Sequence, residues 1–285
     1  MKLTELFKQK EQTLSFEVFP PKSSENFDKM SLAISEIAAL KPDYMSVTYG
    51  AGGTNCGYAA RIASIISESG VPSLSHLTCV GSSKADVKAH LTELNNLGVS
   101  NILALRGDLP NDFGNVCSDF TYASELTSFI KSEGDFCVGG ACYPEMHPES
   151  ASVKDDILNL KKKVDAGCDF LVTQMFFDNN ILYNFLFKIR EAGITVPVVA
   201  GIMPVTNASQ IKRICALSGT KPPAKFLAIL DKFGTNENAM RQAGIAYATE
   251  QIIDLLANGV GHIHVYSMNK PFVSQSIQNN LSFII

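Results

Sequence analysis

The chain has 285 residues, 46% hydrophobic and 18% charged, with a net charge of −4. No Lys/Arg-rich stripe is present to hold a phosphate backbone, so a nucleic-acid partner is not expected. No apolar stretch is long enough to span a bilayer, and residues 1–13 are polar and helix-prone without an apolar signal core, so a cytoplasmic protein with no membrane partner is expected.

Eight short β-type runs recur in order, each followed by a helix-type stretch. The first strand covers 14–19 and stops at Pro20-Pro21; a helix follows over 25–40, where Phe27, Met30, Ile34 and Ile37 recur at helical spacing. The second strand, 44–49, closes on a glycine-rich turn at 50–53, and a helix runs on to 69. Strand 73–79 precedes helix 84–97, and strand 101–105 precedes a long loop and helix 122–132. Strands 136–143, 170–174 and 196–202 are followed by helices 151–166, 181–191 and 208–217. An extra helical pair at 223–256 precedes the eighth strand, His262–Tyr266, and a last helix covers 271–285. Gly98, Gly167 and Gly193 stand just past helical stretches, where a left-handed C-cap favours glycine. This alternation predicts an α/β fold, a (β/α)8 TIM barrel forming one domain over 1–285; a doubly wound sheet, the structural alternative, usually has fewer strands. In a barrel the strand ends converge on one mouth, so residues from 17 to 266 line one pocket.

The seven cysteines (Cys56, Cys79, Cys117, Cys137, Cys142, Cys168 and Cys215) contain no Cys-x-x-Cys pair, and reduced structural thiols with no metal site are expected. The strand ends carry the candidate chemistry. Glu17 lies in an apolar strand; it is either an ion-paired carboxylate or a carboxyl with a raised pKa that serves as a general acid. Arg106-Gly107-Asp108 is either an Arg–Asp pair closing a turn or a fixed donor and charge beside a ligand. The loop Gly50-Ala51-Gly52-Gly53-Thr54 fails the G-x-G-x-x-G template, which argues against a Rossmann-type site. Tyr143 and His147, in a proline-bounded loop, could bracket a planar ring. In the helix that follows, Asp156, Asn159 and Lys163, with Lys162 beside them, form a polar stripe that is a solvated face or a grip on ribose and phosphate. His76 reads first as a satisfied core histidine. Gln174 offers both donor and acceptor to a heterocycle, while Thr48, Tyr49 and Tyr266 are weaker signals.

These segments, taken together, resemble methylenetetrahydrofolate reductase, the folate-dependent flavoenzyme of one-carbon metabolism. The matching stretches are Ser-Phe-Glu-Val-Phe-Pro-Pro at 15–21, Ser-Val-Thr-Tyr-Gly-Ala at 46–51, His-Leu-Thr-Cys at 76–79 and Ala-Leu-Arg-Gly-Asp-Leu-Pro at 104–110. Tyr-Pro-Glu-Met-His-Pro-Glu at 143–149, Asn-Leu-Lys-Lys-Lys-Val-Asp-Ala-Gly at 159–167, Thr-Gln-Met-Phe-Phe-Asp at 173–178, Gly-Ile-Met-Pro-Val-Thr-Asn at 201–207 and the segment 266–270 continue the series. The resemblance spans essentially the whole chain. It implies a barrel with non-covalent FAD at its mouth and a ping-pong reaction. NADH or NADPH reduces the flavin and leaves, and 5,10-methylenetetrahydrofolate then becomes 5-methyltetrahydrofolate, feeding methionine synthesis.

By this resemblance the catalytic residues are Glu17, the general acid, and Asp108, whose charge steadies a cationic intermediate and tunes the flavin. Thr48, Tyr49, Ala51, His76, Arg106, Gly107, Asp108, Tyr122, Ala123, Tyr143 and His147 would contact FAD. Asp156, Asn159, Lys162 and Lys163 would hold its ribityl and pyrophosphate portions. Gln174 would bind the pterin, and Gln210 and Lys270 the benzoyl-glutamate tail. A homo-oligomer assembled through the helices is also implied, without the regulatory domain of the eukaryotic enzymes. The chain departs from the family pattern at 54–59, where an Arg-rich run is common. It also departs at Lys162, where some members have Arg, and at Ile214, where some have a stacking aromatic. Three rival readings use the same barrel: another flavin oxidoreductase such as a proline dehydrogenase-like enzyme, an aldolase-like barrel without a redox cofactor, and a non-catalytic folate-binding module.

Overall fold

The structure is a computed structural model and describes residues 1–21, 24–49, 56–107 and 118–285. Eight parallel strands close into a barrel in sequence order: β1 (Thr13–Val18), β2 (Tyr44–Val47), β3 (Ser73–Thr78), β4 (Asn101–Leu105), β5 (Cys137–Cys142), β6 (Phe170–Thr173), β7 (Val198–Ile202) and β8 (His262–Tyr266). β1 closes the ring by pairing with both β2 and β8, which sets Glu17 beside Ser46 on one side and Tyr266 on the other. The (β/α)8 barrel predicted from the alternation is the fold observed.

β1, β2, β3, β5 and β6 end one or two residues short of the predicted limits, whereas β4, β7 and β8 end where predicted. Thr48, Cys79 and Gln174 each donate one last N–H to the neighbouring strand, at Val18 O (3.0 Å), Leu105 O (3.1 Å) and Cys142 O (2.7 Å), before the chain turns away. β7 starts at Val198 rather than 196 because Pro197 has no N–H for the ladder.

Around the barrel run α2 (Phe27–Ala38), α3 (Cys56–Glu68), α4 (Lys84–Asn96), α5 (Ala123–Glu133), α6 (Val153–Asp165), α7 (Asn179–Glu191), α8 (Ala208–Ser218) and α11 (Pro271–Leu281). The predicted extra pair is α9 (Ala224–Phe233) and α10 (Glu237–Ala257). The N-terminal segment, read as polar and helix-prone, forms the helix α1 (Leu3–Gln9), whose Leu3 and Leu6 are nevertheless buried. With Phe7 they pack on Tyr44, Leu74, Leu103 and Phe170 and plug the amino-terminal end of the barrel. A helix this short is held by that packing rather than by its own propensity. Gly139 makes room inside the barrel for the Phe170 ring, since a Cβ there would stand 2.4 Å from it.

The helix layer forms the main core, and a separate cluster roofs the β6–β7 side, where Met175, Phe177, Val205, Ile211, Phe226 and Met240 join α8, α9 and α10. Cys79, Cys137, Cys142, Cys168 and Cys215 are free and buried; burial pushes the Cys79 thiol up to about 11 and Cys168 to about 12. Among the described residues no group of His, Cys, Asp and Glu could hold a metal ion, and no helix is long and apolar enough to cross a membrane.

Candidate active site

At the carboxyl end of the strands the barrel interior turns polar. Side chains alternate along a strand, so Ser15 and Glu17 of β1 share one face, as do His264 and Tyr266 of β8. The His264 ring is fixed on three sides: Nδ1 lies 2.7 Å from Ser15 Oγ, Nε2 lies 3.0 Å from Ser46 Oγ, and the ring stacks on Tyr44 at 5.7 Å. Glu17 Oε2 stands 3.9 Å from His264 Nε2 and 3.7 Å from His76 Nε2, beyond hydrogen-bond reach of both. The Glu17 side chain is 20% exposed, toward the mouth. Ser267 Oγ donates to Glu17 O (2.7 Å), and Tyr266 OH donates to Thr173 O (2.6 Å). Gly201 leaves the space for that second bond, because a Cβ there would lie 2.4 Å from both oxygens.

His76 corrects its first reading. It is buried, but Nε2 has no hydrogen-bond partner and faces the Glu17 carboxyl, so it is not a satisfied core histidine. Burial drives its pKa from 6.5 down to about 4; Glu17 opposes this and His264 adds to it. As pH falls below 6.5 the unfolded chain takes up this proton first, so the folded state loses stability between pH 6.5 and 4. The full loss corresponds to about 3 kcal/mol. His76→Leu is expected to remove that slope: urea unfolding from pH 7 to pH 4 should show the wild type losing more stability than the variant, and parallel curves would contradict it.

A second sector lies over β4, β5 and α6. The predicted Arg106–Asp108 pairing has its second member outside the described residues, as is Ala51. Arg106 pairs with Glu149, beyond β5, and holds that carboxyl below its usual range. Gly107 adopts φ +85°, a region open to glycine at no steric cost, directly over Thr78. Tyr143 and His147 do not bracket an empty slot: their rings pack edge to face, 4.6 Å between centroids, leaving no gap for a third ring. Asp156 accepts from His147 N (3.3 Å) and Ser150 Oγ (2.8 Å), so this end of the stripe braces the loop after β5 rather than facing solvent alone. Lys163 passes beside Gly140 and donates to Ala141 O at the end of β5 (2.6 Å), with its pKa lowered by burial. Asn159 and Lys162 are exposed and bond to each other (3.1 Å). Tyr122 is exposed at the N-cap of α5, and Ala123 is buried at its first position. Thr48 is half-buried at the end of β2, whereas the Tyr49 ring turns toward α4, edge-on to His90 at 5.5 Å.

The third sector is at β7 and β8. Gln174 Oε1 accepts from Met175 N (2.9 Å), which leaves its amide nitrogen as the free-standing donor of the side chain. Lys270 Nζ donates to Thr206 Oγ1 (2.6 Å), while Gln210 is exposed on the first turn of α8. Ile214 is half-buried against the apolar roof. Asn269, at φ +51°, clamps the loop: its side chain accepts from Phe19 N (2.9 Å) and donates to Phe19 O (2.8 Å). Asn269→Ala is therefore expected to cost about 1–3 kcal/mol by stranding two backbone groups; thermal unfolding checks it, and an unchanged midpoint would count against the clamp.

Ser15, Ser46, His264, Glu149 and Asn269 escaped the sequence reading. For Ser15 and His264 the i, i+2 relation to Glu17 and Tyr266 was the available signal.

Comparison with known proteins follows the same lines. Residues 2–282 match the family model described as methylenetetrahydrofolate reductase. The chain is 35% identical over 272 residues to the 5,10-methylenetetrahydrofolate reductase of Escherichia coli (strain K12), covering 94% of this chain and 90% of that one. It is also 35% identical to a probable methylenetetrahydrofolate reductase (NADH) of Oryza sativa subsp. japonica, covering 95% of this chain and 48% of that one. A Clostridium thermocellum protein, described as binding two copies of 5-methyl-5,6,7,8-tetrahydrofolic acid, superposes with a TM-score of 0.71 over 98% of this chain and all of that one. At 16% identity it speaks for the fold alone. The chain belongs to the methylenetetrahydrofolate reductase family of oxidoreductases.

Proposed function

We propose that the protein reduces 5,10-methylenetetrahydrofolate to 5-methyltetrahydrofolate by a ping-pong reaction, with non-covalent FAD and with NADH or NADPH as donor. The observation that carries this reading is the Glu17 carboxyl, held at the mouth between two imidazoles with no hydrogen bond to either. Neither ring ties the carboxyl up, so it can face a ligand at the mouth.

The residues present fit FAD. The orphaned His76 Nε2 calls for a polar partner at the mouth, and a flavin offers one. Arg106, Lys162 and Lys163 collect positive charge in the β4–α6 sector, suited to a pyrophosphate, and Asp156 and Asn159 suit ribityl hydroxyls. Gly107 and His147 border the same sector; Thr48, Ala51 and Asp108 belong to the proposed site by resemblance, as do Tyr49, Tyr122, Ala123 and Tyr143. When bound, FAD supplies hydride transfer between nicotinamide and folate.

Glu17 protonates N10 of the folate, which opens the five-membered ring and leaves an iminium cation at N5. The neighbouring His76 is neutral at physiological pH, so it adds no competing positive charge there. Asp108 supplies negative charge that favours the cation. The Gln174 amide holds the pterin, and Lys270 and Gln210 take the anionic tail. The barrel works as one catalytic domain, assembled as a homo-oligomer. Incubating the protein with FAD, NADH and methylenetetrahydrofolate, and detecting 5-methyltetrahydrofolate by mass, tests the reading; a protein that holds FAD but never forms this product would overturn it.

A further inference from the structure

Glu149 touches two members of the proposed FAD site at once. Its carboxylate accepts from Arg106 Nη1, reaching across from the loop after β5 to the end of β4, and its backbone N–H donates to His147 Nδ1 (3.1 Å). That second bond anchors the main chain of Glu149. The segment around it is braced as well: Ser150 N donates to His147 O (2.9 Å), and Asp156 takes both His147 N and Ser150 Oγ. The carboxylate is therefore presented from a fixed backbone. Arg106 is the opposite case, a long side chain on the residue after β4, with Gly107 following at φ +85°. Left unpaired, such a side chain samples many rotamers, and a ligand that binds it must order it.

The guanidinium has five N–H donors. Glu149 engages it through Nη1, and among the described residues no other acceptor takes the donors on Nη2 and Nε. The carboxylate thus holds the fork without filling it. A carboxylate near a diphosphate also repels it, but the Glu149 side chain is 57% exposed, so water and salt screen that repulsion. Ordering of Arg106 is then the larger effect. We propose that Glu149 is a positioning residue of the FAD site, which holds the Arg106 guanidinium ready for the pyrophosphate without itself touching the cofactor. The inference rests on the FAD reading above.

The test is titration of FAD and of riboflavin into the flavin-free protein, read by flavin fluorescence, with thermal unfolding followed alongside. Glu149→Ala should weaken FAD by about three- to tenfold, the range set by ordering one rotamer-rich side chain. It should leave riboflavin, which has no pyrophosphate, unchanged. Glu149→Gln keeps an acceptor for Nη1 and should recover part of the loss. Arg106→Ala should weaken FAD at least as much, and adding Glu149→Ala to it should cost nothing more, because one residue acts through the other. This cycle needs FAD alone, so it decides even where riboflavin binds too weakly to titrate. Equal or tighter FAD binding by Glu149→Ala would mean that the carboxylate competes with the pyrophosphate, and would overturn the proposal. Equal weakening of both flavins, or additive losses in the double variant, would also overturn it while leaving the FAD reading in place. A wild type that does not bind FAD would overturn both.

Discussion

Glu17→Gln is expected to slow methylenetetrahydrofolate reduction by about 10²–10⁴-fold, the usual contribution of a positioned general acid, and to leave flavin reduction by NADH within a few-fold of wild type. The asymmetry follows from chemistry. Opening the folate ring needs a proton at N10, whereas hydride transfer from a nicotinamide needs none. The substitution is close to isosteric, and the carboxyl it replaces makes no hydrogen bond with the facing imidazoles, which stand 3.7 and 3.9 Å away. The fold therefore has little to lose. Separate measurement of the two half-reactions decides the matter: equal loss in both would mean that Glu17 is structural.

The largest stability effect is expected far from the proton transfer, at Gly244. This residue is buried on α10, where the helix crosses the segment after β7. A Cβ built there would lie 1.7 Å from Val205 O and 2.7 Å from Val205 C. The obstacle is backbone, so no rotamer change relieves it, and Gly244→Ala should exceed the usual 1–3 kcal/mol of overpacking. At about 2–4 °C per kcal/mol, the midpoint of thermal unfolding should fall by roughly 6 °C or more. Gly98→Ala is the useful control. Gly98 has φ +73° with nothing within 4 Å, so alanine there meets only backbone strain, about 1–2 kcal/mol. Equal drops in the two variants would show that α10 can shift away. Displacing Val205 also displaces Thr206, the acceptor for Lys270, so folate affinity should fall together with stability.

The barrel was legible because its signal is local. Each strand is a short apolar run, each helix has a 3.6-residue stripe, and glycines mark the returns; eight repetitions leave little room for another topology. The strand ends that carry Glu17, Arg106 and Gln174 were legible for the same reason. The pairings across the mouth were not. That Arg106 meets Glu149, and that His264 joins Ser15 and Ser46, depends on which elements face each other once the ring closes. Strand alternation says which side chains point inward but not which of them touch. α1 was legible as a helix-prone segment, but its packing was not, because only Leu3, Leu6 and Phe7 face the barrel floor, too few to make a periodic stripe in seven residues. The Tyr143–His147 pair shows the opposite failure: two rings close in sequence suggested a slot, and they fill it themselves.

Anaerobic stopped-flow absorbance near 450 nm, with the FAD-loaded protein mixed first with NADH and then with methylenetetrahydrofolate, tests the central claim most directly. Bleaching by NADH followed by reoxidation by the folate is the expected result. A flavin that bleaches but is not reoxidised by the folate would contradict it.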